Sequence, residues 1–180
     1  DSTIFYSNEP IYEPKIKKLP EVDSKLRKQR IAILNWTTKS GIIMEKICTY
    51  VPSGSEIILY DIKINKEMKK FLDNLRDKYS DLKLEIHEID LNNLATLKTI
   101  APQSFDSILI LSPGGNTIEE MDAYVISLLI RLRQVLRENG SKKWPKLITE
   151  VMDSENIDII LNSGVEDFMV SNQLVSQIMA

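Results

Sequence analysis

The chain has 180 residues, of which 43% are apolar and 27% are charged, so it is long enough to form one domain with its own core and is not disordered as a whole. Its 23 Lys and Arg residues nearly balance 26 Asp and Glu residues, and the net charge of -3 gives no field that attracts nucleic acid. One cysteine, Cys48, and one histidine, His87, exclude a disulfide framework and argue against a Cys/His zinc site.

The sequence also argues against a membrane span or a secretion signal. Its longest apolar runs are about four residues, whereas about 20 are needed to cross a bilayer. The N-terminal residues lack the charged, apolar and small-residue order of a signal peptide. The first residue is not Met, and the last ones have helical periodicity. We therefore expect a soluble segment of a longer protein.

Residues 1–29 differ in composition from the rest of the chain. They contain three prolines and few periodic apolar residues, and the stretch from Lys15 to Arg30 has seven basic residues against two acidic ones. This composition predicts an extended linker arm over residues 1–29, followed by a single domain over residues 30–180.

From residue 30 onward, short apolar strands alternate with amphipathic helices. Strands are predicted over 30–36, 56–62, 82–90, 105–112, 146–152 and 165–170. Helices are predicted over 41–51, 66–79, about 117–138, and from residue 171 onward. This alternation is typical of a mainly parallel sheet with helices on both faces, so we predict a Rossmann-like, doubly wound α/β fold.

The helix predicted over 117–138 is more apolar than a helix that covers one sheet face needs to be. One stripe would face the sheet, and it consists of Ile118, Met121, Val125, Leu128, Leu132 and Val135. Three further side chains, Tyr124, Ile126 and Ile130, widen the apolar surface. These three predict a second buried contact, which we assign to an oligomer interface.

Ligands of this fold bind beyond the carboxyl ends of the strands, and the first such loop lacks a dinucleotide signature. A Gly-x-Gly-x-x-Gly motif lets the backbone approach a pyrophosphate, but Asn35 and Trp36 occupy the first two glycine positions. NAD is therefore disfavoured. The remaining loop groups could hold a small anion, or they could only pack and cap the helix. They are Thr37, Thr38, Lys39, Ser40 and Gly41.

Two other strand ends carry candidate ligand-binding residues. Asp61 follows Gly41 by about 20 residues, where an acidic side chain would bind a ribose hydroxyl, although an Asp there also forms turns and caps. After the fourth strand, Ser112, Gly114 and Gly115 provide flexible backbone beside the cleft, or simply a tight turn into the next helix.

The last 32 residues are acidic. Six acids and no Lys or Arg lie between Thr149 and Ala180, and Glu150 and Asp153 lie at the carboxyl end of the fifth strand. Carboxylates suit a hard cation such as calcium, so these two residues are the candidate metal ligands. The alternative is a solvated acidic face.

The residues most often used in catalysis do not form a catalytic set. Cys48 lies in the apolar stripe of the first helix, which predicts a core position. His87 lies on the polar face of the third strand, which predicts an exposed or edge position without a nucleophile or acid beside it. We therefore expect no enzymatic activity.

Several strings resemble the second nucleotide-binding-like regulatory domain of the CASTOR/POLLUX family of ion channels. They are ILNWTTKSGIIMEKICTYVPSGSEI (33–57), SFDSILIL (104–111), SLLIRLRQV (127–135), ITEVMDSEN (148–156) and VEDFMVSNQLVSQIMA (165–180). The family has a Gly-Trp pair where this chain has Asn35 and Trp36. Glu150 matches one calcium-ligand position of calcium-gated relatives, whereas Ser112 and Met152 stand at others.

The resemblance implies a fold like the N-terminal subdomain of the regulator of potassium conductance (RCK) domains. It implies a non-catalytic, ligand-sensing gating domain that pairs with other RCK domains of a cation channel, acts on a pore domain, and reaches the membrane only through other parts of that protein. It places the chain on the cytosolic or nucleoplasmic side, with calcium or another cation as candidate ligand. The alternatives are a nucleotide-binding regulatory subunit of a potassium transporter and an NAD-dependent enzyme.

Overall fold

The computed structural model describes residues 27–114, 117–140, 144–153 and 167–170, and for Thr38 and residues 167–170 it describes the backbone alone. Within these ranges six strands are formed, namely β1 (Arg30–Leu34), β2 (Glu56–Asp61), β3 (Lys83–Glu88), β4 (Ser107–Ile110), β5 (Lys146–Val151) and β6 (Asp167–Val170). The described residues also form four α-helices, namely α1 (Thr38–Tyr50), α2 (Lys66–Lys78), α3 (Leu94–Thr99) and α4 (Ile118–Glu138). All six predicted strands are present.

The strands form one parallel sheet in the order β3-β2-β1-β4-β5-β6. The chain moves outward from β1 to β3, returns to β4 beside β1, and then moves outward in the other direction. This reversal confirms the predicted doubly wound, Rossmann-like fold, and it opens a crevice at the carboxyl ends of β1 and β4.

Side chains alternate between the two faces of the sheet, and each face has its own core. On the face that we call the α4 face, Ala32 and Leu34 of β1 pack with Leu97 of α3 and with α4. On the opposite α1 face, Ile31 and Ile33 pack with α1 and α2. The α4 side of the first core comprises Val125, Leu128, Leu129, Leu132 and Val135.

Cys48 is buried in the core of the α1 face, as predicted. Burial raises the pKa of its thiol to about 11, so the group stays protonated at neutral pH. His87 lies on β3, which is an edge strand, and its side chain is half exposed and bonded to Glu85 at 2.9 Å. The positions of both residues are as predicted, but an acid does lie beside His87, because Glu85 and His87 are two residues apart on one face of the strand.

Two short elements between β3 and β4 were not predicted. They are α3, whose first turn is capped by the Asn93 side chain accepting from the Ala95 amide, and a 3-10 turn over Pro102–Ser104. A six-residue helix presents too few turns for an apolar period to be visible in the sequence. Its one fully buried side chain, Leu97, nevertheless belongs to the α4-face core.

Helix α4 follows the predicted stripe only in part. Its later apolar residues are buried against the sheet, but Ile118 at its start is 47% exposed. Two residues outside the predicted stripe, Leu129 and Leu136, are fully buried instead. In the described part of the chain, no helix has both the length and the apolar character that a membrane crossing requires.

Most of the predicted linker arm, residues 1–26, lies outside the described residues. Its last residues contact the sheet. Arg27 pairs with Asp106 at 3.5 Å, and the Gln29 amide donates to the Ser55 hydroxyl at 3.0 Å. The helix predicted from residue 171 also lies outside the described residues.

Candidate functional site

Asn35, directly after β1, connects three strand ends. Its backbone has a φ of 75°, in the left-handed region that glycine usually occupies. Its amide N–H donates to the Tyr60 carbonyl at 2.9 Å, and its side-chain Nδ2 donates to the Leu111 carbonyl at 2.7 Å. A side chain that is 5% exposed therefore fills the space that a glycine would leave open for a ligand.

Tyr124 of α4 completes the contacts of Asn35. Its hydroxyl donates to Asn35 Oδ1 at 3.1 Å. Burial raises the pKa of Tyr124 and the charge of Asp61 adds to this, while the bond to Asn35 opposes it. Of the other two predicted interface residues, Ile126 packs partly against the α4-face core, and Ile130 is 54% exposed.

Asp61, the predicted ribose ligand, holds two loops together. One carboxylate oxygen accepts from the Trp36 amide at 2.6 Å, and the other accepts from the Lys63 amide at 3.1 Å. The Trp36 ring packs against Phe71 with centroids 5.1 Å apart, and it lies 3.1 Å from where a Cβ on Gly41 would be. Gly41 therefore serves a close side-chain approach, and Asp61 acts here as a turn former.

The first turn of α1 is capped by polar groups of the same loop. Thr37 Oγ1 accepts from the Ser40 amide at 3.3 Å, and Ser40 Oγ accepts from the Thr37 amide at 2.8 Å. Ser40 Oγ also donates to the Asn35 carbonyl at 3.0 Å. This capping box starts the helix at Thr38, three residues before the predicted start at Gly41. Two of the groups predicted to hold an anion, the Thr37 and Ser40 hydroxyls, are thus bonded to each other.

A cleft of 270 Å³ lies on the other side of this helix start. Its lining consists of Thr37, Lys39, Ser112, Pro113, Gly114, Met121, Glu150 and Met152. Glu150 is the buried charge of the cleft, with 2% of its surface exposed. One carboxylate oxygen accepts from Lys39 Nζ at 3.2 Å, and the other accepts from the Ser112 amide at 3.0 Å. The structure thus brings together the loop after β1, the loop after β4 and the end of β5.

The Lys39–Glu150 pair is asymmetric. The Lys39 side chain is 46% exposed, whereas the Glu150 carboxylate is enclosed. A long lysine side chain can turn its ammonium into water, but the carboxylate cannot leave the cleft. A buried carboxylate that loses its partner is strongly destabilised. A cation that entered the cleft would therefore compete with Lys39 for Glu150.

Asp122 is a site residue that the sequence did not indicate. It is buried within α4, and its two carboxylate oxygens accept from the amides of Met152 at 2.8 Å and Asp153 at 3.0 Å. The wall of the cleft after β5 is therefore fastened to α4. The available signal was an acidic residue next to Met121 on an otherwise apolar helix face.

The two predicted metal ligands occupy different environments. Glu150 lines the cleft, whereas Asp153 lies outside its lining and its amide donates to Asp122. Within the described ranges, no three or more His, Cys, Asp or Glu side chains converge as a metal site. Gly114 borders the cleft with open space around it, and Gly115 lies outside the described residues.

No family model matches the sequence. A curated relative is the probable ion channel POLLUX of Oryza sativa subsp. japonica, which is 24% identical over 204 aligned positions. The alignment covers 95% of this chain and 21% of the rice protein, so the chain spans about a fifth of the length of that relative. This similarity relates the chain to a segment of an ion channel of the CASTOR/POLLUX type.

Solved structures with the same architecture include dehydrogenases and reductases. They include a short chain dehydrogenase from Mycobacterium smegmatis (11% identity, 71% of this chain and 59% of that chain, TM-score 0.53). Another is a short-chain dehydrogenase from Oenococcus oeni, with 12% identity over 74% of this chain and 66% of that chain and a TM-score of 0.52. A third is an NADPH-dependent 3-quinuclidinone reductase from Rhodotorula rubra, with 12% identity over 78% of this chain and 60% of that chain and a TM-score of 0.51. At these identities the likeness shows the fold alone: the chain has a Rossmann-type fold and a sequence related to that of an ion channel.

Proposed function

We propose that this chain is a ligand-sensing, RCK-type regulatory domain of a CASTOR/POLLUX-like cation channel, on the cytosolic side of its membrane. The observation that carries the proposal is the sequence similarity to a probable ion channel along 95% of the chain. The doubly wound sheet supports it, because ligand-induced changes in such folds arise at the strand ends, where the Glu150 cleft lies.

The ligand that suits the cleft is a small cation, with calcium as the first candidate. Glu150 supplies a buried carboxylate, and Thr37 and Ser112 line the same space. Calcium takes six to eight oxygen ligands, so backbone carbonyls and water would complete the shell. The cation would replace the Lys39 ammonium as the partner of Glu150.

Occupation of the cleft would act on three elements at once. Lys39 belongs to α1, Ser112 follows β4, and Glu150 belongs to β5, whose end is fixed to α4 through Asp122. A ligand that binds one arrangement of these elements more tightly shifts the population toward it. We place the pairing surface with a second RCK domain on the exposed part of α4, which carries Ile118 and Ile130.

The proposed role requires no chemistry on the ligand. The Lys39 and Glu150 side chains are the ionisable groups that line the described cleft, and they pair with each other. Asn35 and Trp36 fill the loop in which a dinucleotide would need glycines. These two features weigh against both an NAD-dependent enzyme and an adenine-nucleotide sensor of a potassium transporter, and the charge balance weighs against nucleic acid as a partner.

Recordings of the complete protein in planar bilayers test the proposal. Open probability is measured while calcium is varied on the side that carries this domain, for the natural sequence, for Glu150→Gln and for Glu45→Gln. Glu45 is a suitable control because it forms an exposed pair with Lys78 on the far part of α1.

We expect calcium to change the open probability of the natural channel and of the Glu45 variant, with at least a tenfold higher calcium requirement for Glu150→Gln. A protein that carries no ionic current would contradict the channel assignment. Current that responds to ATP or NAD but not to calcium would move the function to the nucleotide-binding alternative.

A further inference from the structure

Strand β3 forms one edge of the sheet, and within the described residues no further strand lies beyond it. The amides of Lys83 and Ile89 donate to backbone carbonyls on the β2 side, at 2.9 Å and 2.8 Å. The backbone groups of a strand alternate in direction from one residue to the next. The N–H and C=O groups of Leu84, Ile86 and Glu88 therefore point away from the sheet.

Arg76 of α2 covers one of these outward groups. Its Nε and Nη2 atoms donate to the Leu84 carbonyl at 3.0 Å and 2.8 Å, while its Nη1 atom pairs with Asp73 at 3.2 Å. An N–H group of a neighbouring strand would stand at the same distance from the Leu84 oxygen. The Arg76 guanidinium therefore occupies the place that a further strand would take beside Leu84.

Helix α2 does not depend on Arg76 for its attachment to the sheet. The buried face of this helix consists of Met68, Leu72 and Leu75, which belong to the core of the α1 face. The Arg76 side chain is 47% exposed and reaches only the edge of the sheet. Removing its guanidinium therefore leaves the apolar contact between α2 and the sheet intact.

A second copy of β3 fits the outer edge in one register. An antiparallel pair centred on Ile86 sets outward residues opposite one another, with Leu84 opposite Glu88 of the second copy. The same register sets Glu85 opposite His87 of the second copy, and a carboxylate and an imidazole form a favourable cross-strand pair. A pair centred on Glu85 would instead set two carboxylates against each other.

We propose that Arg76 prevents the β3 edge from pairing in this antiparallel register with a second copy of the chain. The Leu84 carbonyl that its guanidinium covers is the acceptor that the Glu88 amide of the second copy would need. Pairing therefore requires Arg76 to leave Leu84, and charged groups at exposed edges oppose such pairing in sheet proteins. The proposal stands independently of the proposed channel function, because α2 and β3 do not line the Glu150 cleft.

Sedimentation velocity over a series of concentrations tests the proposal in the natural chain, in Arg76→Met and in Lys78→Met. Arg76→Met keeps an apolar side chain and frees the Leu84 carbonyl. We expect its dimer dissociation constant to be about tenfold lower than that of the natural chain, because no hydrogen bond to Arg76 has to be broken. Lys78→Met removes the same charge from the same helix, but Lys78 pairs with Glu45 of α1, so we expect no change.

Amide hydrogen exchange identifies the surface that associates. The amides of Ile86 and Glu88 point outward, so they should exchange fast in the natural chain and slowly in the associated Arg76 variant. The amides of Glu85 and His87 face β2 and should exchange slowly in both. Slow exchange at Ile86 and Glu88 in the natural chain would contradict the proposal, because the edge would then be covered already.

Two further results would overturn the proposal. One is an Arg76 variant that associates no more strongly than the natural chain or the Lys78 variant. The other is association of the Arg76 variant without slower exchange at Ile86 and Glu88, since another surface would then be paired. Unchanged slow exchange in β1 reports that each variant is folded.

The register has its own test. Glu85→Lys in the Arg76→Met background sets a lysine opposite His87 of the second copy, so we expect the dissociation constant to return toward that of the natural chain. An unchanged dissociation constant in this double variant would contradict the pairing centred on Ile86.

Discussion

The two sides of the loop after β1 differ in how their polar groups are satisfied. On the side toward β2, Asn35, Trp36 and Asp61 bond to backbone groups and to one another, and no charged partner is needed. On the side toward β5, Glu150 relies on the half-exposed ammonium of Lys39 and on one backbone amide. We call these the closed side and the open side.

This difference shows where a ligand can bind without breaking the fold. On the closed side, a ligand would have to displace bonds that hold three strands together, and each buried group left without a partner costs about 1–3 kcal/mol. On the open side, a ligand has to displace the half-exposed ammonium of Lys39, which water can solvate. In many Rossmann folds the loop after the first strand holds the ligand, whereas here the loop is hydrogen-bonded to the ends of the neighbouring strands.

The largest expected effect is at Asn35. Asn35→Ala removes two side-chain hydrogen bonds and places alanine in a left-handed conformation, so we expect a loss of about 4 kcal/mol in the free energy of unfolding. Urea denaturation measures it. Asn35→Gly relieves the backbone strain and should lose about 2 kcal/mol. Equal losses for both variants would show that the backbone conformation is not part of the cost.

Asp122→Asn should have the next largest effect. One of its oxygens becomes an NH2 group that faces a backbone N–H, so we expect a loss of about 2 kcal/mol in unfolding free energy. Amide hydrogen exchange at Met152 and Asp153 should become faster while exchange in β1 stays slow. If exchange at these two amides is unchanged, α4 does not fasten the end of β5 in solution.

Lys39→Met tests the open side. It leaves the enclosed Glu150 carboxylate without an ammonium, but because Lys39 is half exposed we expect a loss of only about 1 kcal/mol. The double variant Lys39→Met/Glu150→Gln should regain most of it, since no charge is then left uncompensated. A double variant that is less stable than either single variant would refute this asymmetry.

Tyr124→Phe should have the smallest effect, about 0.5–1 kcal/mol, because it removes one hydrogen bond to Asn35. The pKa of Tyr124 is raised in the folded state, so the unfolded state releases this proton at lower pH. Stability should therefore fall as the pH rises through about 10, and less so in Tyr124→Phe. Phenolate absorbance and urea denaturation at increasing pH measure both quantities.

The sheet could be predicted from the sequence because each strand is a short apolar run followed by a helix or turn signal. The sheet is buried on both faces, and for this reason β1 and β4 are continuous apolar runs in the sequence. The short α3 was missed because six residues show no period, and the start of α1 was placed too late because the Thr37–Ser40 capping box was not recognised.

The site was predictable at the level of strand ends and not at the level of contacts. Glu150 was identified because it lies at the carboxyl end of an apolar strand, but its pairing with Lys39 joins residues 111 positions apart. Asp122 was missed because its partners are backbone amides, which the sequence does not mark. Asn35 was recognised as an obstacle to NAD, whereas its role in joining three strands required the structure.

Thermal unfolding of the chain with millimolar calcium tests the central claim most directly, in the natural sequence and in Glu150→Gln. A ligand at 100 times its dissociation constant stabilises the folded state by about 2.7 kcal/mol, which for a chain of this size raises the midpoint by about 5–10 °C. We predict such a rise for the natural sequence and for Glu45→Gln, and none for Glu150→Gln. The same rise in Glu150→Gln, or a rise with NAD and none with calcium, would contradict the assignment of the open side as the ligand site.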